Sequence, residues 1–290
     1  MARAPKIPAG RCGVHAMSKP YLSICAIYRW EGPYLREWVA FHKLMGVERF
    51  FLYDNGSDDE HREALAPYVG EGIVELTDWP QFPAQVQAYT DCIERHREHS
   101  RWIAFIDIDE FLFSPTGRPL PEVLARYERW AGVGVNRVTF GTSGHEQRPS
   151  GLVLENYTRR IVHPEARKVA VKSIVDPRHV VRALDPHHFE FSEGGLVDEA
   201  ENPLDAQHSV TDTSDVLRVN HYFTRSEEER VVKLGRPRAG GGKLRPLGEI
   251  RPGQGIREDR RFGVPDEAIL THLPALKAEL ARAEGIARAR

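Results

Sequence analysis

Four short apolar runs, at residues 21–28, 47–53, 73–79 and 102–106, alternate with helix-period segments and limit the chain to few architectures. A run of strand length followed by a helix and another strand reads as a βαβ unit, whose crossover makes neighbouring strands parallel. Pro33 suits the first turn of a helix, Leu35, Trp38, Val39, His42 and Met45 share one face, and Gly46 is placed to end it. Asp54-Asn55-Gly56-Ser57-Asp58 is a turn by composition, with Ser57 or Asp58 as the cap of a second helix that Gly70 and Gly72 break. A third helix carries Val86, Tyr89, Cys92 and Ile93 on one side and feeds the fourth run. The expected fold class is therefore α/β, with a mostly parallel central sheet and helices on both faces.

Ligands of such sheets bind outside the carboxyl ends of the strands. The residues there are Arg29 and Glu31, then Asp54 and Asn55, then Asp78 and Trp79, then Asp107 and Asp109. If the fourth strand runs straight on, Asp107 and Asp109 project to one face, since side chains two apart do so. Paired carboxylates suit a hard divalent ion that keeps positions open for phosphate oxygens, and hence a diphosphate. An Asp-x-Asp triplet alone also fits a solvated acidic turn; four consecutive polar strand ends on one rim favour the functional reading.

The second half is less regular. Strands are expected at residues 135–139, 168–175 and 216–223, with a helix at 152–162. Ser226 with Glu229 forms a capping box for a helix after Phe223. Residues 236–261 read as a mobile loop rich in Gly, Pro and Arg, and a terminal helix interrupted by Pro274 follows Asp266. The expected organisation is a flexible leader over 1–19, the main domain over 20–225, and a C-terminal helical extension over 226–290 that packs on or lengthens it.

Forty basic against forty-two acidic residues give a net charge of −2, which offers no general affinity for nucleic acid. Cys12, Cys25 and Cys92 are odd in number and scattered, against both a disulfide framework and a structural zinc site, so a reducing cytoplasm is expected. No apolar run reaches bilayer-spanning length, which leaves peripheral contact at the inner membrane face compatible with the sequence. Oligomeric state leaves no mark in the sequence.

Several linked segments carry a resemblance: Glu37-Trp38-Val39-Ala40-Phe41-His42, Tyr53-Asp54-Asn55-Gly56-Ser57, Ala88-Tyr89-Thr90-Asp91-Cys92, the run from Trp102 to Phe111, Pro186-His187-His188-Phe189, and Asn220-His221-Tyr222-Phe223. In this order they resemble bacterial relatives of glycosyltransferase family 92, within the family-2-like transferases of the GT-A fold. The resemblance implies a GT-A-type nucleotide-sugar-binding fold and transfer of a sugar, with inversion, to a glycan or small hydroxyl acceptor. It implies Mn²⁺ or Mg²⁺ as cofactor and a UDP-sugar as the favoured donor. By it Asp107 and Asp109 match the metal and donor motif, Asp54 meets the base, and His221 matches a histidine that closes the metal site. Glu31, Asn55, Asp78, Gln85 and Asp91 are the further donor-side candidates. Family members tend to carry Lys-Asn-Glu where this chain has Arg29-Trp30-Glu31.

Inversion requires a base for the acceptor hydroxyl. Asp198 is the candidate, with Glu199, Glu110 and Glu146 as alternatives; a solvated loop acid is the simpler account of Asp198. His187 and His188 compete with His221, and a hydrogen-bonded structural pair would explain them. Arg236, Arg238, Lys243 and Arg245 could close over a diphosphate or form an ordinary solvated face. A haloacid-dehalogenase-type phosphotransferase wants its Asp-x-Asp on an early strand, and a dinucleotide oxidoreductase wants a Gly-x-Gly-x-x-Gly that is missing here. A non-catalytic sugar- or nucleotide-binding module stands as the alternative, because fold does not fix function.

Overall fold

Side-chain alternation along the strands decides how the sheet is covered. In the computed structural model, which describes residues 19–162, 169–204, 208–209, 213–235 and 250–288, the first four strands lie where the apolar runs place them. They are β1 (Leu22–Tyr28), β2 (Arg49–Asp54), β3 (Val74–Asp78) and β4 (Trp102–Phe105), joined by α1 (Gly32–Leu44), α2 (His61–Gly70) and α3 (Gln85–His96). Leu22, Ile24, Ala26 and Tyr28 face one side of β1 and pack in one core with Trp38, Phe41, Leu65 and Tyr68 of α1 and α2. Cys25 and Ile27 face the other and pack with Ala88, Tyr89, Cys92 and Ile93 of α3. Burial on both faces is why these strands read as continuous apolar runs. All pairings among the four are parallel.

The chain continues through β5 (Glu110–Phe113), α4 (Leu120–Leu124), β6 (Gly132–Thr139), α5 (Val153–Asn156), β7 (Arg159–Ile161) and β8 (Val169–Val175). Then come β9 (Val180–Ala183), β10 (Phe189–Phe191), β11 (Leu196–Val197), β12 (Pro203–Leu204), β13 (His208–Ser209) and β14 (Arg218–His221). The last elements are α6 (Glu227–Leu234), α7 (Gln254–Phe262), β15 (Gly263–Pro265) and α8 (Leu273–Arg288). The main sheet runs β12-β11-β6-β8-β4-β1-β2-β3. β8 is antiparallel to both β4 and β6, so β6 points the same way as the first four strands. β14 lies parallel to β6 and antiparallel to β5, which places His221 opposite Glu110 and Thr139.

Four expectations change. The helix expected over 152–162 shrinks to α5 because the amides of Thr158 and Arg159 turn to Ser143 Oγ and β7 pairs with the distant β15. Within 236–261, residues 236–249 lie outside those described, but Gln254–Phe262 forms α7, which buries Ile256 and Asp259. Pro274 opens α8 rather than interrupting it, since a first-turn residue has no intrahelical amide bond to lose. Neither Ser57 nor Asp58 caps α2, which begins behind Glu60 without a side-chain cap; Ser57 Oγ accepts instead from the Trp30 amide. The Ser226–Glu229 capping box forms as expected.

The terminal segment belongs to the same core as the first half. Ile269, Leu276 and Ala283 are buried with α1 and α2, and Lys43–Glu279 (3.0 Å) and Arg282–Glu71 (2.7 Å) ion pairs cross the contact. Of the expected leader only Lys19 lies among the described residues, and Cys25 and Cys92 are free and buried. No helix among the described residues is long and apolar enough to cross a membrane.

Candidate functional site

The fourth strand does not run straight through its two aspartates. It stops at Phe105, and the chain turns through Ile108 and Asp109 into β5. The turn is tied down from three sides. Glu110 N donates to Asp107 O (3.0 Å), Trp38 Nε1 donates to Glu110 O (2.8 Å), and Tyr222 N donates to Asp109 O (2.8 Å). In place of two carboxylates on one strand face, the side chains hold different partners.

Asp107 accepts from Gln85 Nε2 (3.0 Å) and Lys172 Nζ (2.8 Å), with 32% of its side chain exposed. Lys172 rises from β8 and is almost fully buried; its ammonium also lies 3.2 Å from Glu110 Oε2. Glu110 is itself wholly buried, and its second oxygen lies 3.5 Å from Arg137 Nη1 while Oε2 also accepts from the Asp107 amide (2.9 Å). Burial would push the Asp107 carboxyl up, but the Lys172 ammonium beside it brings it below the usual range. The same two carboxylates raise Lys172 against the opposing effect of burial. Glu110, an alternative base on sequence grounds, thus holds the turn and its lysine.

Asp109 is buried against the other wall. Its Oδ2 accepts from Lys233 Nζ of α6 and lies 3.3 Å from His221 Nε2. Burial raises its carboxyl, and Lys233, His221 and Arg225 together carry it well below the ordinary carboxylate value. Arg225, in a left-handed conformation (φ 47°), lies over the Tyr34 ring at 3.4 Å and pairs with Glu31 Oε2 (2.9 Å). Lys233 also sits over the Phe223 ring at 4.6 Å. Two buried nitrogens here, His221 Nδ1 and Arg225 Nε, have no hydrogen-bond partner among the described residues.

The remaining candidates separate. Asp54 Oδ1 accepts from the Ser57 amide (2.9 Å), Oδ2 faces His61 Nε2 (3.8 Å), and Tyr28 OH meets the other ring nitrogen of His61 at 2.7 Å. Asn55 Nδ2 donates to the carbonyls of Trp79 (2.7 Å) and Gln81 (2.9 Å), which ties the loop after β3 to that after β2. Asp78 is exposed and pairs with Arg62 (2.5 Å). Asp91 of α3 accepts from Tyr53 OH of β2 (2.7 Å). Beside these loops lies a cleft of about 420 Å³ lined by Arg29, Asn55, Gly56, Pro80, Gln81 and Phe82, with Phe82 59% exposed.

Asp198 follows β11, whose Val197 is in register with Val133 of β6; one residue on, Gly134 is level through Ser173 with Phe105, the end of β4. Its carboxylate is taken up by its own turn, accepting from the amides of Ala200 and Asn202 (both 2.9 Å). So engaged, Asp198 holds its own turn, and Glu199 likewise accepts from the amides of Asp215, Val216 and Leu217. His187 and His188 lie in the turn between β9 and β10; His187 Nδ1 donates to Val171 O (2.8 Å), the structural pairing. Arg236, Arg238, Lys243 and Arg245 lie outside the described residues.

For a metal ion the rim offers few protein ligands. Among the described residues no three histidine, cysteine or acidic side chains converge on one point. Asp109 and His221 make two ligands, and Asp109 already holds an ammonium. Sequence reasoning missed Lys172, Lys233 and Arg225. Lys172 had a signal, a lone charge within the apolar run Val169–Val175; Lys233 and Arg225 had none.

Fold and rim together define the class: an α/β protein whose parallel strands end in acidic side chains, Asp78, Asp107 and Asp109 each with a basic partner. The glycosyltransferase family 92 model matches residues 21–233, and the chain belongs to that family. It is 34% identical over 190 residues to a glycosyltransferase family 92 protein of Arabidopsis thaliana, covering 61% of this chain and 32% of that protein. A family 92 protein of Oryza sativa subsp. japonica is 36% identical over 198 residues, covering 64% and 32%. A galactan β-1,4-galactosyltransferase of Arabidopsis thaliana is 30% identical over 107 residues, covering 33% and 21%. The chain thus spans about a third of the length of the first two relatives. Among solved structures, the S. aureus TarS 1–349 structure shares 9% identity at a TM-score of 0.42, covering 74% of this chain and 63% of that one.

Proposed function

We propose that this chain transfers a glycosyl group from a nucleotide-sugar donor to a hydroxyl acceptor, with inversion. The observation that carries the reading is the Asp107–Asp109 turn, held between Lys172 and His221 at the mouth of the parallel sheet in a chain of family 92. A donor of this kind leaves as a nucleoside diphosphate, and the rate depends on charges already in place where negative charge develops. The rim supplies them in Lys233 and Arg225, with Asp109 and Glu31 as their anchors. The cleft beside Phe82 and Arg29 suits the nucleoside, since an exposed aromatic ring and a guanidinium stacked on Trp30 (4.0 Å) offer flat surfaces for a base. A UDP-sugar is the donor expected from the family resemblance, and a relative named for galactan transfer supports a glycan acceptor.

Metal dependence is the finer part of the reading. Asp109 and His221 would hold Mn²⁺ or Mg²⁺, ions that need only one or two protein groups when donor phosphate and water supply the rest; no step is routed through a metal. The test is donor turnover, read as UDP or GDP release from a panel of nucleotide sugars with glycan acceptors, with Mn²⁺ and in EDTA. Asp109→Asn is expected to lower turnover by about 100-fold or more. Undiminished turnover in that variant would remove the rim from the chemistry, and a retained anomeric configuration in the product would remove inversion.

A further inference from the structure

We infer that Lys233 is the residue that meets the leaving diphosphate, exchanging its bond to Asp109 for one to a phosphate oxygen when the donor binds; this rests on the nucleotide-sugar reading above. The two aspartates of the turn are not equivalent in what neutralises them. Lys172, on Asp107, is almost fully buried and shared with Glu110, so it is fixed in the wall. Lys233, on Asp109, stands on the last turn of α6 with 31% of its side chain exposed. Its four-carbon stem can turn the ammonium outward without unpacking the sheet, which Lys172 cannot do.

Two buried nitrogens at this corner are left over once the ion pairs are made. Arg225 stands behind Asp109 with one face on Tyr34 and one nitrogen pair on Glu31, and its Nε is buried without a partner. His221 Nδ1 is likewise buried and unpartnered. Two cations, Lys233 paired with Asp109 and Arg225 paired with Glu31, thus stand together beside these unpartnered nitrogens. An arriving diphosphate brings acceptor oxygens that such a corner lacks, and a charge-assisted bond to phosphate is stronger than a neutral one. No bond is made or broken in the exchange; Lys233 stays protonated throughout and moves from carboxylate to phosphate.

The experiment compares the affinity of the full chain for UDP and UMP, and for GDP and GMP, by calorimetry with Mn²⁺ and in EDTA. It is run on the native protein, Lys233→Met and Lys233→Arg, with circular dichroism to check folding. Lys233→Met is expected to weaken diphosphate binding at least tenfold while changing monophosphate binding less than about twofold, and Lys233→Arg to restore most of the loss. Equal loss for mono- and diphosphate, or none for either, would overturn the inference while leaving the nucleotide-sugar reading intact. A native protein that binds no nucleoside diphosphate would overturn that reading, and this inference with it.

Discussion

At the scale of single residues, the site rests on buried charges that are safe only in company. Lys172 serves Asp107 and Glu110 at once, and removing it leaves two carboxylates in a dry wall. Lys172→Met should cost about 3–5 kcal/mol, read as a lower midpoint in urea unfolding. A loss below about 1 kcal/mol would mean that the pair is solvated. His42 presents the opposite case. Its ring is fully buried, Nδ1 donates to Trp38 O (2.8 Å) and Nε2 accepts from Leu112 N (3.0 Å), a pattern only the neutral ring can satisfy. Burial lowers its pKa to about 3 from the usual 6.5. The folded state therefore binds fewer protons than the unfolded one between these values, so stability present above pH 6.5 is lost as the pH falls towards 3, by roughly 4–5 kcal/mol in full. Nitrogen NMR should find His42 as the neutral Nδ1–H tautomer at pH 5; an imidazolium signal there in the folded protein would refute it. The partnerships of these residues differ in legibility. His42 was legible as a core position on α1, but its tie to Leu112 spans seventy positions, and no local pattern encodes it.

Among the elements, those with local causes appear where the pattern puts them. Pro33 opens α1, the apolar face buries, and Gly46 ends it in a positive-φ conformation (96°). Gly46 has a second reason that only packing reveals: an added Cβ would come within 2.6 Å of Pro121 Cδ. Gly46→Ala should therefore exceed the ordinary left-handed penalty and cost about 2–3 kcal/mol, measured by thermal unfolding. A cost under 1 kcal/mol would show that Pro121 yields. Where element boundaries depart from the pattern, a distant partner is responsible. The segment after α5 extends because β15 lies beside it, and the Asp107–Asp109 stretch turns because Trp38, Glu110 and Tyr222 hold its backbone.

Across the whole molecule, the last residues close a core begun by the first. Leu276 is fully buried against α1 and α2 rather than held in a separate unit. Leu276→Ala should cost about 2–5 kcal/mol and lower one cooperative transition; a separate early transition, with the main one unmoved, would make the C-terminal extension independent. Sequence alone determined the parallel first half, the helices on both faces, the acidic rim and the family, because each rests on periodicity, turn chemistry or linked motifs close together in the chain. Tertiary structure alone decided which partner each carboxylate holds. It engaged Asp198 in its own turn, and it brought Lys172, Arg225 and Lys233 to the Asp107–Asp109 turn from β8, the loop after β14 and α6. The physical reason is that charges act through space: sequence separation carries almost no information about which ammonium will neutralise which carboxylate.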